Sequence, residues 1–428
     1  MNRRSRLVSV VAAIVIGAIA AAVFSKRTVP VHPVPLVVAE NDELTTSRAE
    51  LAAAMKTAEE RLASDPADGR AAATYAQSAL RRGRVEANGG YTRRAEQVLR
   101  AVLDREPGDY DALKMLGAVY MSQHRFREAI DVATRANRIH PADAWNYGVI
   151  GDAHLELGDY VSAFDAFDKM ARVHPDAAAY GRIAYAQELR GNLGAAIATM
   201  RMAAEATGAQ DPESLAWHYA QLGNLLLQTG DLDGAAREFA RAEHVFPGHP
   251  FAAAGEARVA AARGQVDDAV AIYRELMRTA PTSEVAIASA DLLSQKGDSS
   301  GAEAMYARAE AIEREAWLTE ARLTTNLARM LAERGVRINE AVQLAEEAAR
   351  NRTDIFTMDA VAWAYYRAGR LADAEKASKQ ARRTGTTDRR ILAHAAAIDK
   401  SVAALNRYRD TGTGIRPVSL SRAGRVDR

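Results

Sequence analysis

The chain of 428 residues contains no cysteine. That excludes a disulfide, a thiol nucleophile, a lipidated amino-terminal cysteine and a covalently attached c-type haem. It leaves the chain comfortable in an oxidising compartment without placing it there. Aromatic residues are sparse, at 6%, and the formal net charge is only +1. No global basic field therefore argues for nucleic acid or an anionic surface as partner. Also missing are a Walker loop, a dinucleotide fingerprint and a calcium loop.

What is present is a period. Pro107, Pro141 and Pro175 fall 34 residues apart, and Pro247 and Pro281 repeat that interval. A fixed period of this size marks a solenoid, in which each helical pair buries its apolar face against its neighbours. Aligned on the prolines, one repeat reads Leu113, Leu116, Gly117, Tyr120, then Ala129 and Pro141. The next reads Tyr147, Ile150, Gly151, His154, then Ala163, Phe167 and Pro175. A third runs Tyr219, Leu222, Gly223, Leu226, Ala235, Phe239, Pro247.

Gly117, Gly151 and Gly223 fall inside expected helices, where glycine costs about 1 kcal/mol against alanine, so close helix packing is expected there. Ala129, Ala163, Ala235, Ala269 and Ala302 mark the facing positions, with Phe167, Phe239, Tyr273 and Tyr306 one turn on. A second series, Gly158, Gly191, Gly230, Gly264, Gly297, Gly335 and Gly369, marks turns, with His124 standing in the glycine's place in an earlier unit. Counted from Gly83, the chain holds nine candidate units. Two joints, at 207–214 and 313–320, carry extra residues expected to form loops, as does 84–90 in the first unit.

These residues resemble the tetratricopeptide repeat family, over about 68–386. The expected fold is all-α: a right-handed α-solenoid of helix-turn-helix repeats preceded by one hydrophobic helix. The expected organisation is a signal-anchor or signal peptide at 1–28, a proline-containing linker at 29–44 and a solenoid over 45–386. A capping helix at 387–410 and a disordered basic tail at 411–428 complete it.

The hydrophobic helix rests on 7–24, an uncharged stretch preceded by Arg3, Arg4 and Arg6. Its length is about 27 Å as a helix, just enough to span a bilayer. The flanking charge gives weak preference to a cytoplasmic amino terminus, with the repeats on the periplasmic or extracytoplasmic side of the inner (cytoplasmic) membrane. Small residues at Ala18, Ala20 and Ala22 also fit a signal-peptidase site, which would give a secreted chain.

The search for chemistry ends without a site. Gly297, Ser299 and Gly301 spell the G-x-S-x-G pattern, but no strand precedes them. His140 and His174 are 34 apart, each preceding a repeat proline, too far apart for one zinc ion. No catalytic residue, metal ligand, cofactor or small-molecule substrate is expected.

The resemblance implies a concave groove lined by the first helix of each repeat. Mapped onto this sequence, the partner-binding residues are Trp145, Tyr185, Trp217, Asn224, Phe251, Arg258, Trp363, Tyr366 and Arg367. Asp152, Glu188, Gln228 and Asp291 join that lining, and Trp363 with Tyr366 is the expected hot spot. Packing between repeats is the competing role for the tryptophans. Lys114 holds a position like those of carboxylate-clamping members, but Ala118 stands where they carry asparagine. The expected function is a non-enzymatic scaffold of the bacterial envelope that binds a protein or peptide segment. The alternative is an accessory subunit of an envelope enzyme or export system, for polysaccharide export or protein maturation.

Overall fold

The computed structural model describes residues 48–86, 90–320 and 325–411. The expected hydrophobic helix, the proline-containing linker and the basic tail beyond Thr411 lie outside the described residues. Among the described residues there are twenty α-helices and no strand. No helix among them is long and apolar enough to cross a membrane.

The first helix, α1 (Arg48–Ser64), packs on α2 (Gly69–Glu86). From α2 onward the chain runs as pairs: α2 with α3 (Gly90–Leu103), α4 (Tyr110–Ser122) with α5 (Phe126–Ile139), and α6 (Ala144–Leu157) with α7 (Tyr160–Val173). Then come α8 (Ala177–Leu189) with α9 (Leu193–Ala206), α10 (Pro212–Thr229) with α11 (Leu232–Val245), and α12 (Pro250–Ala262) with α13 (Val266–Thr279). Three further pairs are α14 (Ser283–Gln295) with α15 (Ser299–Glu320), α16 (Thr325–Arg334) with α17 (Ile338–Asn351), and α18 (Ile355–Arg367) with α19 (Leu371–Ala381). The last helix, α20 (Arg389–Thr411), covers the ninth pair.

Each boundary has a local cause. Asp109, Asp143, Asp176, Asp211 and Asp354 cap first helices, their carboxylates accepting from backbone N–H groups of the first turn. The turn glycines, from Gly158 to Gly369, all have φ between 70° and 87°, left-handed backbone that glycine enters without a Cβ penalty. His124 takes the same role with φ 59°. Pro141, Pro175, Pro247 and Pro281 each stand two residues past the end of a second helix.

The core follows the repeat. Ala129, Ala163, Ala235 and Ala269 are fully buried, and Phe167 and Phe239 are 2% and 0% exposed. The glycines they face are close-packing positions: a Cβ built on Gly223 would lie 2.6 Å from the Phe239 ring, and one on Gly151 would overlap Phe167.

Three expected loops are shorter than the sequence suggests. At the first joint only 207–211 is irregular, because Pro212 occupies the first position of α10 and Asp211 caps it. At the second, the extra residues lengthen α15 to 22 residues. Its run of alanine, glutamate and arginine has no glycine or proline after Gly301 to stop it. In the first unit α2 continues to Glu86, whose carboxylate accepts from Arg82 Nε and Tyr91 OH, both at 2.8 Å.

Candidate functional site

The first helices place the expected lining residues in register, and the structure pairs several of them across neighbouring units. Asp152 on α6 accepts three hydrogen bonds from Arg182 on α8, at 2.7–3.0 Å. Glu188 on α8 accepts from Gln228 on α10 at 2.6 Å. Asn224 on α10 accepts from Arg258 on α12 at 2.6 Å. Farther along, Arg367 donates to the Glu333 carbonyl at 2.9 Å, while within the seventh pair Tyr306 OH donates to Asp291 at 2.6 Å. A row of cross-unit hydrogen bonds thus runs along the first-helix face.

Burial sets the electrostatics of this row. It raises the carboxyl of Asp152 above its ordinary value, against the opposing pull of Arg182. It raises Glu188 likewise, against Gln228. Burial also pushes the Tyr185 hydroxyl well above the usual range. Arg258 is exposed, and partial desolvation by the helices beside it lowers its pKa from the ordinary arginine value.

The nine expected partner-binding residues divide by exposure. Phe251, 40% exposed, and Arg258 are exposed, seven residues apart on α12 and so on one face. Trp145, Tyr185, Trp217, Asn224, Trp363, Tyr366 and Arg367 are half-buried. Trp145 packs on the first core cluster with the Lys114 ammonium 5.7 Å from its ring centroid. Trp217 meets His218 edge-on at 5.2 Å. Tyr185 packs in a cluster with Ile355 and Ile391 from the far end of the chain. Trp363 is stacked between Tyr366, at 4.9 Å, and His394 of α20, at 4.0 Å and 10° between planes. The capping helix therefore covers the expected hot spot. His394 is itself held by Asp359 at 3.0 Å, and Tyr366 OH pairs with Ser401 at 3.3 Å.

Lys114 is not a free clamp. It donates to Asp143 at 2.7 Å, and Asp143 also accepts from Tyr110 OH and the Trp145 N–H. Burial raises that carboxyl, but these three donors outweigh it and hold its pKa below the ordinary value. Beside them opens a cavity of about 550 Å³ lined by His140, Met170 and His174 among others. His140 stands edge-on to the Tyr110 ring at 4.3 Å and His174 pairs with Asp176 at 3.1 Å. No group of three or more His, Cys, Asp or Glu side chains among the described residues could hold a metal ion. The G-x-S-x-G segment is a helix cap: Gly297 is the left-handed turn before α15, and Asp298 accepts from the Gly301 N–H at 2.9 Å.

Sequence reasoning missed a contact between units far apart in the chain. The turns after α6 and α8 meet the loops that precede α18 and α20. Thr353 donates its N–H and hydroxyl to the Leu157 carbonyl, and Tyr160 OH accepts from the Ile355 N–H at 2.9 Å. Arg352 lies 2.8 Å from Glu156 and 2.7 Å from Asp354. Residues nearly 200 apart carry no shared local signal; only the summed curvature of the intervening units brings them together.

Nine stacked helix pairs with small-residue close contacts and left-handed turn glycines define a helical-repeat scaffold. Models of the tetratricopeptide repeat match residues 90–147, 149–212 and 221–284, so these stretches are tetratricopeptide repeats. Scaffolds of this type serve protein–protein interaction. No curated protein sequence matches the chain. Among solved structures, the human IFIT1 dimer with m7Gppp-AAAA is similar at 13% identity and a TM-score of 0.50, over 79% of this chain and 78% of that one. Yeast Tom70 is similar at 14% identity and TM-score 0.43, over 84% and 88%. A chain of the APC/C hetero-tetramer Cut9-Hcn1 is similar at 14% and 0.45, over 83% of this chain. This chain spans 60% of that one's length. At such identities the likeness is one of fold alone.

Proposed function

We propose that the chain is a non-enzymatic scaffold of the bacterial envelope that captures a protein or peptide segment on the face of its first helices. Residues 7–24 would tether it to the cytoplasmic membrane, with the repeats on the periplasmic side. The tether is supported by the uncharged run and its flanking arginines.

The observation that carries the binding reading is the α12 face. Phe251 offers exposed aromatic area, and Arg258 is held at one N–H by Asn224, leaving its other donors for a partner's carbonyl or carboxylate. Preorganisation by Asn224 reduces the entropy lost when those donors are engaged. The remaining expected residues hold neighbouring units in place or lie beneath α20.

The test is crosslinked affinity capture of the tagged full-length protein from native membranes, comparing it with a Phe251→Ala, Arg258→Ala variant. Loss of a defined envelope partner in the variant, with helical content and thermal transition retained, is the expected result. Identical partner profiles for the two proteins would remove α12 as the capture face. Recovery from the soluble cytosolic fraction alone, with an intact amino terminus, would overturn the envelope assignment.

A further inference from the structure

In a solenoid each unit contacts its neighbours. Contacts that join the third and fourth helix pairs to the ninth pair and α20 depart from that rule. Ile355 and Ile391, 0% and 1% exposed, pack with Leu155, Tyr160 and Leu189 in one cluster. Around it the contacts are polar and directed at main-chain carbonyls. Arg383 donates to the Gly158 carbonyl at 3.1 Å and to that of Thr353 at 2.6 Å, and Thr353 Oγ1 donates to the Leu157 carbonyl at 2.9 Å. The turn glycines show the same closure. A Cβ on Gly158 would meet Arg383, and one on Gly191 would meet the Gly385 carbonyl, whereas Gly230, Gly264, Gly297 and Gly369 have open space around theirs. A second strut joins Arg81 on α2 to Asp211 before α10, at 3.1 Å with both side chains largely buried.

We propose that this contact is a clasp: it holds the solenoid closed beside the first-helix face of α6 and α8, and its release lets a partner segment reach Tyr185 and its surroundings. The proposal rests on the scaffold reading above and adds its regulation. Two features favour release over permanence. The contact is made at turns and helix ends, whereas the cores within each pair are made along helix faces. Its ion pair joins Arg352 to Glu156 across the contact, with Asp354 holding the same guanidinium, so one substitution removes it. With Arg352 gone, Glu156 would be left as a recessed carboxylate beside Asp354, a destabilising arrangement that opening relieves.

The absence of cysteine allows a direct test on the full-length protein. Ala198→Cys on α9 and Ala372→Cys on α19, both exposed sites, carry nitroxide labels whose separation reports the clasp by pulsed electron resonance. A dominant narrow short distance is expected in the parent. In an Arg352→Ala, Arg383→Ala background a longer, broader distribution should replace it, with circular dichroism unchanged. Thr353→Ala, which removes one hydroxyl, should shift the distribution less in the same direction, and it decides the matter if the double variant loses helix content. A parent distribution already broad, or no shift in a variant that keeps its helices, overturns the clasp. Crosslinked capture separates this from the scaffold reading. Capture failing in both clasped and released forms while the distance responds refutes the scaffold and leaves the clasp. Capture succeeding while the distance never responds refutes the clasp alone.

Discussion

Replacing Gly223 with alanine should destabilise the protein although it improves helix propensity. The propensity gain in α10 is about 0.8–1.0 kcal/mol. Against it, the new Cβ would lie 2.6, 2.8 and 2.9 Å from three atoms of the Phe239 ring. That ring is fully buried, and the same ring atoms overlap the place a Cβ would take on Gly255 of α12. Two helices besides its own crowd the same ring atoms, so the overpacking cost sits toward the upper part of its usual range of about 1–3 kcal/mol. The net expectation is a loss of about 1–2 kcal/mol. Gly194→Ala is the matched control: it lies in α9 with nothing within 4 Å of its Cβ, and it should gain up to about 1 kcal/mol. Denaturant titration followed by circular dichroism reads both. Phe239→Leu should rescue Gly223→Ala, making the double variant less damaged than the sum of the singles. If Gly223→Ala is as stable as Gly194→Ala, the close-packing argument for these repeats is wrong.

Asp109→Ala removes the carboxylate that accepts from the Ala112 N–H at 2.7 Å, and should cost about 1 kcal/mol in the same titration. Trp363→Ala should cost about 3 kcal/mol, the low end for deleting an aromatic because the ring is half-buried. Hydrogen exchange should show α20 losing protection first; retained protection there would return Trp363 to the role of a partner-binding residue. The pH profile has two limbs. Asp152 and Glu188 have raised pKa values in the folded chain, so their contribution is fully present below their unfolded values and is lost as pH rises through the folded ones. Glu310 is lowered from 4.5 to about 2, chiefly by Arg337 with Arg314 assisting, so its contribution is lost as pH falls between those values. Thermal transitions should therefore peak in the mildly acidic range, and Glu188→Gln should flatten the neutral limb. A monotonic rise to pH 8 would contradict this.

Legibility in the sequence tracked distance along the chain. The turn glycines, the Ala–Phe pairs and the helix-ending prolines recur at the repeat spacing, so the fold could be read from positions alone. The cross-unit pairs Asp152 with Arg182 and Asn224 with Arg258 are one unit apart and follow from the same register. Extra residues at a joint do not have to form a loop, because an alanine- and glutamate-rich run such as 303–316 prefers to continue its helix. His394 stacking on Trp363 depends on where α20 docks, which no periodicity reports. The contact of Leu157 with Thr353 depends on every intervening packing angle.

The hydrogen bonds that link successive first helices have a mechanical consequence. Uncurling a curved solenoid lengthens its inner face more than its outer one. The Asp152–Arg182, Glu188–Gln228 and Asn224–Arg258 bonds span that inner face, so each is stretched as curvature falls. They act like short tethers along the inside of a bow: slack under further bending, taut against straightening. Stiffness in this chain should therefore depend on the direction of the pull.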